Sequence, residues 1–206
     1  MSDAPEDASG AQEAFGKGAG HTTGSLPIGF RSRARRLYRI RREQLMEIPV
    51  AALRERFGDG QVEVDEHHQY ARVESSSFTL ELGFAGTYRM FGALIDMQWV
   101  ALRGVSGSAT DELEYRFDRK AFVAKKGADE AFGARLADRR TVELAGRSEL
   151  KALKVANGPV GRKVTITPLP GTITAVYFPP LPPYSVPLKP QEARDHIALA
   201  LHLLDC

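Results

Sequence analysis

Cysteine is nearly absent from this sequence of 206 residues, in which Cys206 is the only copy. A single thiol excludes a disulfide framework within the chain and a metal cage built from several thiolates. We therefore expect a protein of the reducing cytoplasm that is stabilised by hydrophobic burial. Because 43% of the residues are hydrophobic and 26% are charged, a chain of this length can bury one core without covalent support.

Long hydrophobic runs are missing as well. The most apolar stretch, residues 90–102, contains Asp96 and Gln98 and is shorter than the roughly 20 apolar residues that a membrane-spanning helix needs. Residues 1–7 are acidic where a secretory signal would be basic, so the sequence predicts neither a transmembrane segment nor export. A large excess of one charge is missing too, since a net charge of only +2 indicates no partner by itself.

The motifs of nucleotide-binding and nucleophilic enzymes do not occur. No glycine cluster has the spacing of a P-loop or a dinucleotide fingerprint, and no Gly-x-Ser-x-Gly elbow is found. Residues 158–161 favour a hairpin turn, with an anion-binding loop that uses Arg162 and Lys163 as the alternative. We therefore predict no cofactor, identify no catalytic residue, and favour a binding protein over an enzyme.

The histidines lack the spacing of metal ligands. The candidates are His67 and His68, beside Asp65 and Glu66, and the C-terminal pair His196 and His202. Neighbouring residues of a strand point to opposite faces, and residues six apart on a helix do not share a face. Solvated or capping histidines are therefore favoured, and no metal site is predicted.

Composition divides the chain into a tail and a domain. Residues 1–29 are rich in Gly, Ala and acidic residues, which predicts a disordered tail. Residues 30–206 are predicted to form a single α+β domain. The abundance of arginine, alanine and glycine suggests a bacterial source.

Two N-terminal helices are predicted at the start of this domain. Residues 30–47 have the pattern of a basic amphipathic helix at the edge of the domain. Its apolar face comprises Phe30, Ala34, Leu37, Tyr38, Leu45 and Ile48. Pro49 suits the first turn of a second short helix that ends before Gly58.

Short runs rich in β-branched and aromatic residues follow from residue 62 onward. They predict an antiparallel sheet of about six to eight short strands, interrupted by one helix at 129–138 and followed by a buried helix at 191–204. Residues 164–167 and 172–178, which flank Pro168 and Gly171, have the pattern of a hairpin. The Pro-rich segment 179–190 is interpreted as a stiff connector, with a Pro-x-x-Pro ligand as the alternative. This order of elements also fits a pleckstrin-like barrel closed by a terminal helix.

The arginines of the first helix are the strongest functional signal. They favour a noncatalytic binding or regulatory module that contacts an anionic partner, which is a membrane surface, a nucleic acid or an acidic protein. The candidate contact residues are Arg31, Arg33, Arg35, Arg36, Arg39 and Arg42. The competing interpretation is a solvated helix face. Two other functions stay open: a small-molecule-binding protein or enzyme with a pocket between the sheet and the C-terminal helix, and a subunit of a complex. The sequence does not indicate an oligomeric state.

Overall fold

A computed structural model describes seven parts of the chain, which contain four helices and ten strands. Side chains are described for all of these residues except 28–35, 87–89, 126 and 176. The parts are residues 28–65, 69–89, 92–104, 111–126, 130–159, 161–176 and 183–206. The predicted disordered tail therefore lies outside the described residues, apart from its last two positions.

The predicted α+β class is confirmed. The helices are α1 (Ile28–Phe57), α2 (Glu130–Leu136), α3 (Arg139–Arg147) and α4 (Pro190–Asp205). The strands are β1 (Val62–Val64), β2 (Ala71–Glu74), β3 (Thr79–Arg89), β4 (Gly92–Arg103), β5 (Asp111–Arg116), β6 (Ala121–Lys126), β7 (Leu150–Gly158), β8 (Gly161–Pro168), β9 (Ile173–Val176) and β10 (Tyr184–Ser185). Within these parts, no helix combines the length and the hydropathy that a membrane crossing requires.

Helix α1 corrects the prediction of two N-terminal helices. It runs without a break from Ile28 to Phe57 and includes Pro49 in its interior. A proline inside a helix costs about 3 kcal/mol because it removes one hydrogen bond and its ring crowds the preceding turn. Buried apolar residues on both sides of Pro49 continue one packed face, and this burial outweighs that cost. These residues are Leu45, Met46, Val50 and Leu53.

All ten strands join one antiparallel sheet, and β4 is its centre. The main order is β1-β2-β3-β4-β8-β7-β5-β6, and β9 also pairs with β4 and carries β10 at its other edge. The sheet formed by the described strands is open, so these residues do not form the pleckstrin-like barrel that the element order would also fit. Most neighbouring strands are joined by hairpins, which include the predicted turn between Gly158 and Gly161.

The predicted hairpin of residues 164–167 with 172–178 is wrong. Strand β8 pairs with residues 99–103 of β4, whereas β9 pairs with residues 92–95 of the same strand. The two strands therefore follow one another along β4 and do not pair with each other. Pro168 and Pro170 cannot donate a ladder hydrogen bond, so they interrupt the pairing with β4 without reversing the chain.

The terminal helix covers the centre of the sheet. Alternate residues of β4 are buried on the face that α4 covers, and Trp99 packs against His196 of that helix with ring centroids 6.2 Å apart. The prediction of a buried C-terminal helix is confirmed, because Ala193, Ile197 and Leu203 are almost inaccessible to solvent. Helices α1 and α3 both contact α4.

The helical insertion between β6 and β7 contains two helices, where one was predicted. Phe132 and Leu136 of α2 are buried, as the sequence predicted. Asp138 then begins α3, since its Oδ1 atom accepts a hydrogen bond of 2.7 Å from the backbone N–H of Thr141. This is the geometry of an Asp N-cap, and it fixes the carboxylate beside the last turn of α4.

Candidate functional site

A cleft of about 700 Å³ opens between the C-terminal half of α1 and the terminal helix α4. The loop between β2 and β3 contributes Ser77 and Phe78, β4 contributes its last residue, Arg103, and α3 contributes Arg140. Such a volume lies in the range of small-molecule sites, roughly 300 to 1,000 Å³. The small-molecule hypothesis placed a pocket between the sheet and the terminal helix, whereas this cleft lies between α1 and the terminal helix.

One part of the cleft wall is apolar. The ring of Phe78 packs against that of Phe57 with centroids 5.9 Å apart, which holds the β2–β3 loop against α1. The apolar residues of the wall are Ala52, Phe78, Ile197, Ala198 and Leu201. Leu201 belongs to the predicted apolar face of the terminal helix but is only partly buried, because this cleft leaves its side chain exposed to solvent.

The remainder of the wall is cationic. Four arginines line the cleft, Arg56, Arg103, Arg140 and Arg194, together with two carboxylates, Glu55 and Asp205. Arg194 pairs with Glu55 at 3.0 Å between Nε and Oε2, and Arg103 pairs with Asp205 at 2.6 Å between Nη1 and Oδ1. Within the described residues, Arg56 and Arg140 form neither an ion pair nor a hydrogen bond through their side chains. The cleft therefore has two cations in excess.

Two neighbouring arginines hold the C-terminal turn of α4 in place. Arg103 and Arg162 lie opposite each other on β4 and β8. Arg103 donates to the carbonyl oxygen of Leu204 at 3.2 Å, and Arg162 donates to that of Leu203 at 3.1 Å. The guanidinium of Arg162 also lies over the ring of Phe132 at 5.1 Å, and burial lowers its pKa. Cations at a helix C-terminus satisfy free carbonyls and complement the helix dipole.

At the α3 end of the cleft, three side chains of different chemistry converge. His202 lines the cleft, and its Nε2 atom lies 3.0 Å from Oδ2 of Asp138 and 3.7 Å from Sγ of Cys206. Partial desolvation by neighbouring residues raises the pKa of the Cys206 thiol, and the charge of Asp138 raises it further. For Asp138, hydrogen bonds from Thr141 and His202 outweigh the opposing effect of burial and lower the pKa of the carboxyl.

This arrangement does not have the geometry of a nucleophilic relay. In such a relay the carboxylate contacts one ring nitrogen of the histidine and the nucleophile contacts the other. Here the carboxylate and the thiol both face Nε2. When Nε2 donates its proton to the carboxylate, the same nitrogen cannot accept a proton from the thiol. We therefore interpret the three side chains as potential metal ligands.

The basic helix occupies the other end of α1. Arg36 and Arg39 are exposed, and Arg39 pairs with Glu43 at 3.6 Å. They precede the cleft residues of the same helix by about 16 positions, or about 24 Å along its axis. The side chains of Arg31, Arg33 and Arg35 lie outside those described.

Arg42 is separate from the other candidate arginines. It is half-buried, donates to Oε1 of Gln69 at 3.1 Å, and lies over the ring of Phe84 at 5.6 Å. These contacts give Arg42 a packing role between α1 and the sheet. The apolar face is also corrected at one position, because Leu37 is 41% exposed.

Among the described residues, His196 and Asp65 do not form a site with His202. His67, His68 and Glu66 lie outside the described residues. Asp65 accepts hydrogen bonds from the backbone N–H groups of Gln69 and Tyr70, which is a turn-forming role. His196 is buried against Trp99 and lies on the inner face of α4.

A scan against protein-family models and searches of curated proteins and of solved structures found no match to this chain.

Sequence reasoning missed the cleft and the three-residue cluster for different reasons. The four cleft arginines lie on α1, β4, α3 and α4, and no local pattern connects positions so far apart in the chain. His202 and Cys206, however, are four residues apart at the end of a predicted helix, which is a favourable ligand spacing. That signal was present in the sequence, and the comparison of His202 with His196 alone overlooked it.

Proposed function

We propose that this chain is a noncatalytic binding protein whose cleft holds a small anionic ligand with an apolar part. The observation that carries the proposal is the cationic wall, in which four arginines face only two carboxylates. A guanidinium binds a carboxylate or a phosphate through two parallel hydrogen bonds, and it stays protonated throughout the physiological range. Arginines thus bind and orient an anion but do not transfer protons, which favours binding over catalysis.

The division of the wall indicates the shape of the ligand. Arg56 and Arg140 have no acidic partner among the described residues and are available for the anionic group, whereas Phe78, Ile197 and Leu201 offer a surface for an apolar body. Burying that body contributes about 25 cal/mol for each Å² removed from water. We place this binding in the cytoplasm, because the chain has only one cysteine.

An alkyl phosphate with a chain of about eight carbons is expected to bind the full chain with one-to-one stoichiometry in calorimetry. The double variant Arg56→Gln/Arg140→Gln should bind at least tenfold more weakly, because each charge-assisted hydrogen bond is worth about 1.5 to 3 kcal/mol. The corresponding alcohol has the same alkyl group but no phosphate, and it should bind to the original protein and to the double variant with equal affinity.

The matched control is Arg116→Gln/Arg119→Gln, which also removes two positive charges, from exposed positions at the end of β5 and in the turn that follows it. This variant should retain the original affinity. Equal affinities of the double variant and the control, or binding of the alcohol as strong as that of the phosphate, would contradict the anionic site. Melting temperatures of all variants establish that they are folded.

A second candidate function is contact of the first helix with an anionic membrane surface. The observation that favours it is an exposed apolar pair among the arginines: Leu37 is 41% exposed and Ile40 is 37% exposed, beside exposed Arg36, Arg39 and Arg41. Helices that lie in a membrane interface combine such apolar side chains with cations. Nucleic acid and an acidic protein are the other anionic partners that the arginines favour, and a complex subunit would use the same exposed pair.

Retention of the full chain on anionic liposomes is expected to decrease as salt concentration increases, and Arg36→Gln/Arg39→Gln should elute at lower salt. The variant Leu37→Ser/Ile40→Ser should weaken retention on liposomes but leave retention on heparin unchanged, because heparin offers no apolar phase. The control Arg116→Gln/Arg119→Gln removes two charges elsewhere. If this control elutes at the same salt concentration as Arg36→Gln/Arg39→Gln from both liposomes and heparin, retention depends only on net charge. The helix is then not the contact surface.

A further inference from the structure

The geometry points to a zinc site formed by Asp138, His202 and Cys206. We propose that these residues bind one Zn²⁺ ion through a carboxylate oxygen, an imidazole nitrogen and a thiolate, with a fourth position for water. The site goes beyond the proposed function, because it does not require that the cleft binds an anion.

Two of the donor-atom distances are close to those that a tetrahedral ion requires. Zinc bonds of about 2.0 to 2.3 Å place tetrahedral ligands about 3.4 Å apart for nitrogen and oxygen and about 3.6 Å apart for nitrogen and sulfur. In the structure, Nε2 of His202 lies 3.0 Å from Oδ2 of Asp138 and 3.7 Å from Sγ of Cys206. All three donor atoms lie within 4.8 Å of one another. The side chain of Cys206 is at an exposed position, where rotation can complete the geometry.

The backbone positions the three ligands independently of any metal. His202 and Cys206 are one helical turn apart, and the backbone N–H of Cys206 donates to the carbonyl oxygen of His202 at 3.2 Å. Asp138 is held by the N-cap hydrogen bond from its Oδ1 atom to Thr141. Nε2 of His202 lies 3.1 Å from that oxygen and 3.0 Å from Oδ2, so the N-cap bond orients the carboxylate with both oxygens beside the imidazole. Such outer hydrogen bonds are typical of metal-binding carboxylates.

The charges balance when the metal is present. A carboxylate and a thiolate carry two negative charges and neutralise one Zn²⁺ ion, and the thiol proton is released to solvent when the Zn–S bond forms. The neutral centre is compatible with Arg162, which lies near Cys206 and holds the carbonyl groups of the same helix end. Without metal, the thiol and the carboxylate both face the same ring nitrogen of His202.

Cobalt(II) is the spectroscopic probe for this site. Titration of the full chain is expected to give one equivalent of bound Co²⁺, with the visible bands of a tetrahedral centre and a thiolate-to-cobalt charge-transfer band. Because Cys206 is the only cysteine, that band can arise only from this residue. Zn²⁺ should displace Co²⁺ and raise the melting temperature, since binding the folded state alone stabilises it.

Three variants and one control test the ligands. Cys206→Ser should lose the charge-transfer band, and His202→Gln and Asp138→Asn should weaken Zn²⁺ binding at least tenfold in competition with a chromophoric chelator. Asn caps a helix as well as Asp does, so Asp138→Asn removes the ligand charge while α3 keeps its cap. Glu143→Gln removes a carboxylate from an exposed position of the same helix and should bind Zn²⁺ like the original chain.

Several results would overturn the proposal. They are the absence of saturable binding at one equivalent, a spectrum of octahedral cobalt without charge transfer, or equal affinities of Asp138→Asn and Glu143→Gln. Retained binding in Cys206→Ser with an unchanged spectrum would also exclude the cluster. Near-ultraviolet circular dichroism, which reports on the buried Trp99, shows that each variant is folded.

Discussion

Gly161→Ala is expected to destabilise the protein by about 4 kcal/mol, a loss at the upper end of the range for single substitutions. Gly161 has a φ angle of 120°, a backbone conformation that only glycine adopts readily. A Cβ atom at this position would lie 2.0 Å from the carbonyl oxygen of Arg103. The obstacle is backbone, so the start of β8 and the end of β4 would have to separate. Urea denaturation followed by circular dichroism measures the loss.

Gly158→Ala is the matched control, because Gly158 lies directly opposite Gly161 in the β7–β8 hairpin. Among the described residues, a Cβ atom on Gly158 would meet no atom within 4 Å beyond its chain neighbours, and its φ angle is not in the positive region. This variant should change the free energy of unfolding by less than about 1 kcal/mol. Equal losses in the two variants would mean that the hairpin tolerates no side chain at either glycine and that the approach of Arg103 is not the cause.

The same contact connects the hairpin to the candidate site. Arg103 and Arg162 face each other where β4 and β8 pair, and both hold the last turn of α4. A displaced β4 end would remove Arg103 from the cleft and shift His202 and Cys206 with the helix. Gly161→Ala should therefore weaken ligand binding in the cleft even in the fraction that remains folded.

Much of the fold was predictable because it depends on local periodicity. The short β-rich runs after residue 62 correctly predicted an antiparallel sheet, and the apolar spacing of residues 191–204 correctly predicted the buried terminal helix. The break at Pro49 was wrong because proline propensity is a local effect, whereas the continuation of α1 depends on tertiary burial of Met46, Val50 and Leu53.

Strand order was less predictable. Residues 164–167 and 172–178 are locally ideal for a hairpin, and only the length of β4 explains why both pair with it instead. Pairing partners are set by which edges are free in the assembled sheet, and a single sequence does not contain that information.

The residues of the candidate site also differ in whether a local sequence pattern or only the assembled fold identifies them. Arg56, Arg103, Arg140 and Arg194 belong to four different elements, so only the fold brings them to one cleft. The run of arginines in residues 31–42 was conspicuous in the sequence, yet the structure uses Arg42 for packing against Phe84. The prediction of an anionic partner for this helix stays a prediction, whereas the cleft could not be foreseen.

The protein is expected to lose about 3 kcal/mol of stability between pH 6.5 and pH 4 because of His196 alone. Its side chain is 1% exposed, and neither ring nitrogen has a hydrogen-bond partner among the described residues. Burial lowers the pKa of His196 to about 4, from 6.5 in the unfolded chain. Below pH 6.5 the unfolded state binds a proton that the folded state does not bind. The unfolded state is therefore increasingly stabilised as the pH falls towards 4, and the free energy of unfolding decreases. Above pH 6.5 both states are neutral and the effect is zero.

His196→Leu separates this effect from that of the acidic residues, whose titration is common to both proteins. At pH 8 the variant should be as stable as the original chain or more stable by about 1 kcal/mol, because leucine leaves no polar atom unpaired beside Trp99. Between pH 6.5 and pH 4, urea denaturation should show a slope smaller by about 1 kcal/mol per pH unit in the variant. Parallel pH profiles would mean that His196 reaches solvent or a proton acceptor when it is charged, and the buried neutral imidazole would then be the wrong description of the core at α4.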